Sequence, residues 1–144
     1  AMNEPIDAVI YMITVALGFA ALENTLFLLS PIGDGFIVES ILTGNFRFVG
    51  ATLIHTLSSA TIGAALAFSF YRPKLTREFS LFIGLILASA LHALFNFFIL
   101  KSSGNGGILG TFFAVWIGII ILILLLERIK RIQNPMDFFT KRNH

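Results

Sequence analysis

Three ionisable side chains lie inside stretches that otherwise read as lipid-soluble helix. They are Glu23, within Gly18-Phe19-Ala20-Ala21-Leu22-Glu23-Asn24, then His55, and then His92, with Asn96 following one helical turn later. A glutamate at mid-bilayer costs about 3 kcal/mol or more, so its presence requires a partner or a task. A carboxylate with two imidazoles supports three readings. In the structural one, the three groups satisfy one another and lock helix packing. In the hydrolytic one, Glu23 activates a water as general base, or joins His55 and His92 as a two-imidazole, one-carboxylate set that holds a divalent metal such as zinc and lowers the water's pKa. Asn96 then donates a hydrogen bond to the developing oxyanion. In the third, two histidines at equal depth ligate one haem.

The elements that position these residues follow from hydropathy. Hydrophobic residues make up 56% of the 144 and charged residues 12%, a balance no soluble domain needs. A bilayer core takes roughly 20 apolar residues per helix. Four windows meet that requirement, predicting helices at about 5–29, 47–71, 79–100 and 108–127 and a cytoplasmic tail over 128–144. The expected fold is all-α, a single polytopic membrane helix bundle of four transmembrane helices spanning 1–144. Cysteine is absent, which removes disulfides, thiolate metal sites and a thiol nucleophile.

The net charge of +2 does not point to nucleic acid, because the basic residues gather at helix ends. Arg72, Lys74 and Arg77 form one group and the run from Arg128 to Arg142 another, while residues 30–45 hold Asp34 and Glu39 without a lysine or arginine. The positive-inside rule then puts both termini in the cytoplasm and 30–45 outside. That segment carries Pro31, Gly33, Gly35 and Gly44, and reads as a connection or lid with a short interfacial helix around 36–42. Pro135, Phe138 and Phe139 suggest a tail lying on the membrane surface.

A stripe at every fourth position sets small residues around the histidines in the second helix (Ala51, His55, Ser59, Gly63, Ala67) and the third (Gly84, Ala88, His92, Asn96). Such stripes bring backbones together, turn both histidines toward the packed faces and leave little room for a porphyrin. In the first helix Asp7, Tyr11, Thr14 and Gly18 are expected to face other helices, and Trp116 in the fourth reads as packing. With ~1.5 Å of rise per residue, Glu23, His55 and His92 fall ~9, ~12 and ~12 Å below the outer surface. They share one layer.

At these residues the chain resembles the PrsW family of intramembrane proteases, within a larger group that includes the CAAX prenyl endopeptidases and the Aph-type scaffold subunit of γ-secretase. The resemblance rests on Glu4-Pro5-x-Asp7-x-x-x-Tyr11, Gly18-Phe19-Ala20-x-x-Glu23-Asn24, Arg47 followed by His55, and His92-x-x-x-Asn96. It implies a prokaryotic plasma-membrane glutamic-type endopeptidase that cuts a membrane-anchored protein, for example an anti-sigma factor, with Glu- and His-activated water. It further implies Glu23, His55, His92 and Asn96 as catalytic residues, with Asn24, Asp7 and Arg47 in support. Family members also carry a Glu-Glu-x-x-Lys helix ahead of the Glu-Pro-x-Asp stretch. These 144 residues do not contain that motif, so the expectation is an N-terminally truncated member, inactive by itself. The alternative is a non-catalytic scaffold whose Glu/His cluster is structural.

Overall fold

The computed structural model describes residues 2–33, 37–101 and 105–132, with the side chains at 28, 30–33, 37–47, 100 and 105 outside the description. Four helices cover nearly all of it: α1 (Pro5–Gly33), α2 (Ile37–Phe68), α3 (Lys74–Lys101) and α4 (Asn105–Ile129). Each contains a stretch long and apolar enough to cross a membrane: Pro5–Phe27, Phe48–Phe68, Lys74–Ile99 and Gly106–Ile129. No strand occurs among the described residues. The all-α membrane bundle expected from hydropathy is the observed fold.

The helix ends have their own chemistry, and α1 and α3 begin with their apolar stretches, at Pro5 and Lys74. Asp7, in the first turn of α1, accepts hydrogen bonds from the backbone N–H groups of Asn3 and Glu4 at 2.8 and 2.9 Å. It thereby satisfies donors that the helix leaves open, as the third residue of a capping box does. Between α2 and α3 the chain turns through residues 69–73, with Ser69 Oγ on the Ala65 carbonyl at 2.9 Å. Arg77 N–H already reaches the Pro73 carbonyl at 3.1 Å. Helix α3 therefore starts at Lys74 rather than near 79, and Lys74 and Arg77 belong to its first turn. Residues 37–45, read as part of a connection, have helical backbone in α2, and the link from α1 narrows to 34–36, outside the described residues. The surface tail with Pro135, Phe138 and Phe139 also lies outside them.

Helix α2 is central and packs against α1, α3 and α4. Glycines mark its close approaches to α1 and α3. A Cβ on Gly63 would stand 2.6 Å from the Val9 Cα of α1, and one on Gly84 of α3 would stand 2.9 Å from the Ala65 Cβ of α2. Only glycine admits backbones at that range. Around the Gly63 crossing, Val9, Leu57, Ala60, Ala64, Ala67, Leu122 and Ile129 form one buried cluster. Ile54, Phe95 and Val115 form a second, between α2, α3 and α4. The first cluster joins the start of α1 to the ends of α2 and α4, so Arg72, Lys74, Arg77, Arg128, Lys130 and Arg131 gather at one end of the bundle.

Two packing expectations are corrected. Tyr11, Thr14 and Gly18 are exposed, and α1 instead buries Val9, Ala16, Ala20 and Asn24. Trp116 is 53% exposed, turned away from the bundle, while Val115 beside it is buried. Lipid solvates an indole or a leucine as readily as a protein interior does, so bulk alone does not draw a side chain inward.

Candidate active site

The site is assembled from three consecutive helices. Phe19 and Glu23, four residues apart, project from one side of α1 onto the same imidazole. The Glu23 Oε2 and His55 Nε2 atoms are 2.6 Å apart, and the Phe19 ring meets the His55 ring edge-on at 5.2 Å between centroids. From the other side the His92 ring of α3 lies 4.9 Å from the His55 ring, inclined at 44°. His55 is thus clasped between α1 and α3, its side chain 14% exposed against 41% for Glu23. With Glu23 as a carboxylate, which only accepts, the His55 Nε2–H is the donor.

One position beyond Glu23, Asn24 is 5% exposed and its Nδ2 donates to Thr52 Oγ1 at 3.3 Å. Neighbouring residues of α1 therefore engage positions 52 and 55 of α2, and this double contact fixes how the two helices align. Thr56 and Thr61 of α2 turn their hydroxyls back onto the carbonyls four residues earlier, at 2.8 and 2.9 Å.

An open cavity of about 490 Å³ lies between α2 and α3, bordered by His55, Ser58, Ser59, Ala88, Ser89, His92, Ala93 and Asn96. The paired imidazoles, a serine cluster and an amide thus face one space. Glu23, His55 and His92 are brought together, and Asn96 borders the same cavity one turn from His92. Asn24 supports the site through Thr52. Asp7 does not belong to it: its carboxylate caps α1, some 24 Å along the helix from Glu23 by the ~1.5 Å rise per residue. Arg47 belongs to α2, with its side chain outside the described residues. Sequence reasoning did not foresee Thr52 or Ser89; the signal for Thr52 is the hydroxyl three residues before His55, matching the Glu23-Asn24 step on α1.

Four membrane-crossing helices, with a carboxylate and two imidazoles linked in a chain through His55, make this an integral membrane protein with a polar site sunk among its spans. The chain belongs to the PrsW family of intramembrane metalloproteases, whose family model matches residues 1–126. It is similar to Protease PrsW of Geobacillus kaustophilus (strain HTA426), 28% identical over 118 residues, which are 79% of this chain and 47% of that protein. The chain thus spans about half the length of that curated relative. No solved structure matches it.

The family description implies a metal. Glutamate and two histidines are donor types that zinc accepts. Among the described residues, however, no three His, Cys, Asp or Glu side chains are grouped to hold an ion. Glu23 Oε2 and His55 Nε2 stand 2.6 Å apart. Two ligands on one tetrahedral zinc, with bonds of ~2.0–2.1 Å, stand about 3.3 Å apart. As arranged, the donors are a hydrogen-bonded pair with a second imidazole alongside.

Proposed function

We propose that this chain forms the core of an intramembrane endopeptidase that hydrolyses a peptide bond of a membrane-anchored protein, with water activated by its own Glu and His groups. The observation that carries this reading is the Glu23–His55–His92 contact chain, which ends on a cavity that Asn96 also borders. The Glu23–His55 pair takes a proton from water while the water oxygen bonds to the peptide carbonyl carbon. His92 orients that water, and the Asn96 amide donates to the oxyanion. When the C–N bond breaks, the pair returns the proton to the leaving amine. A non-catalytic scaffold is not favoured, since the matching family is one of proteases.

The same proposal places the site in the outer half of a prokaryotic plasma membrane. It rests on the basic residues at the end of the bundle away from the histidines, which the positive-inside rule assigns to the cytoplasm. A substrate of anti-sigma-factor type, cut on its extracytoplasmic side, suits that depth.

The test is Glu23→Gln in the full-length protein, assayed on a membrane-anchored substrate. The amide keeps the shape and can still meet His55, but it cannot take a proton. Cleavage should fall by roughly 10²-fold or more. Retained cleavage would overturn the role of Glu23. One equivalent of bound metal that is lost in His92→Ala would replace the protein-only scheme with a metal site built from Glu23, His55 and His92.

A further inference from the structure

Ser58 is the one buried side chain whose hydroxyl meets no protein partner among the described residues. It is 7% exposed and borders the cavity beside the histidines. The contrast within α2 is sharp. Thr56, Thr61 and Ser69 each spend the hydroxyl on a carbonyl of their own helix, the usual resort of a hydroxyl in a helix interior. Ser58 does not, although the carbonyl four residues earlier is within the same helix. A buried hydroxyl left unpaired is costly, and an ordered water resolves the cost where the space is polar and large enough to hold one. The cavity that Ser58 borders meets both conditions, and because Oγ as placed has under 1 Å² of accessible surface, holding that water requires a change of rotamer that turns the hydroxyl to the cavity. Ser59, Ser89, His92 and Asn96 border the same cavity, and its volume of about 490 Å³ exceeds what one water requires.

We infer that the serine-lined part of this cavity, one helical turn from the histidine pair, is a water-binding site in which Ser58 Oγ holds a water next to His92 and so supplies the hydrolytic nucleophile. Ser58 is then a positioning residue. It touches neither substrate nor the reacting bond, and it fixes the store from which the attacking water is drawn. Ser59 and Ser89 line that store from α2 and α3. The role in the reaction rests on the hydrolytic reading above; the water site itself does not.

The absence of native cysteine permits a test with two separable arms. In membranes containing the full-length protein, Ser89→Cys is compared with Leu87→Cys, an exposed position at nearly the same depth on α3 that does not border the cavity. A small charged methanethiosulfonate reagent reacts with thiolate, which forms only in contact with water, so Ser89→Cys should label at least about tenfold faster. Equal rates would overturn the water site whether or not the protein is a peptidase. In the second arm, Ser58→Ala should lower kcat about tenfold, the worth of one hydrogen bond, with KM unchanged. Ser58→Thr, which keeps the hydroxyl, should restore most of it. A Ser58→Ala enzyme with wild-type kcat, or a loss shared equally by Ser58→Thr, would overturn the positioning role even where the labelling succeeds. If Glu23→Gln leaves cleavage intact while Ser89→Cys labels fast, the hydrolytic scheme fails and the water site stands.

Discussion

Asn24 donates to Thr52 across the α1–α2 contact at 3.3 Å, one residue along from the carboxylate that meets His55. The two contacts run side by side, so the neutral one sets the alignment in which the ionisable one can form. Thr52→Val would leave the Asn24 amide buried without its partner, at a cost of about 1–3 kcal/mol. The loss should appear as a lower unfolding midpoint in detergent. Adding Asn24→Leu to Thr52→Val should recover part of it, because replacing both partners removes the unpaired group; a double variant worse than the sum of the singles would count against the pairing.

His92 and Asn96 lie on one side of α3, but their expected contributions differ. On the proposed scheme His92→Ala removes the group that orients the water and should reduce cleavage roughly 10²-fold or more in the full-length protein. Asn96→Ala should cost less, because water can replace part of an oxyanion donor. Unfolding midpoints measured alongside separate loss of chemistry from loss of fold. An Asn96→Ala defect larger than that of His92→Ala would reverse the assigned roles.

Two glycines make a matched stability test. Gly63 has no room for a methyl group, since a Cβ there would stand 2.6 Å from the Val9 Cα, whereas nothing lies within 4 Å of a Cβ on Gly18. Gly63→Ala should destabilise by about 1–3 kcal/mol through overpacking. Gly18→Ala should be neutral, or stabilise by up to about 1 kcal/mol through helix propensity. Thermal unfolding of the two variants in the same detergent provides the comparison, and an unaffected Gly63→Ala would mean that α1 and α2 do not cross where described.

Lys74 and Lys101 sit at opposite ends of α3. Single cysteines at these positions should be labelled by an impermeant thiol reagent from opposite sides of the membrane, Lys74→Cys from the cytoplasmic side. Labelling of Lys74→Cys from the outside would invert the proposed orientation and, with it, the assignment of the site to the outer half.

The four spans were legible in the sequence because a bilayer imposes length and polarity directly on each helix. Their ends were less so. Lys74 and Arg77 read as a turn by hydropathy, yet they lie within α3, whose charged residues can stay helical while reaching out of the hydrocarbon. The meeting of Glu23, His55 and His92 followed from equal depth, since a costly group inside a membrane finds another at its own level. Which apolar residues turn inward did not follow: Trp116 and Tyr11 face out while Ala16 and Ala20 are buried. In water the larger side chain would have won the interior, whereas in lipid close approach favours the smaller one. The pairing of Asn24 with Thr52 depends on the rotation of α1 against α2, which no single-helix pattern records.

The contact between Glu23 and His55 also bears on how the chain enters the membrane. Released alone from the translocon, α1 would carry an unpaired acidic group into hydrocarbon at a cost of about 2.5–3.5 kcal/mol on insertion scales. Its partner is not made until α2 has been synthesised. Favourable partitioning of α1 is therefore tied to the arrival of α2, and the two should leave the translocon as a helical hairpin. His55 would in this way act during biogenesis, and substitutions there would lower the yield of correctly inserted protein before any question of turnover arises.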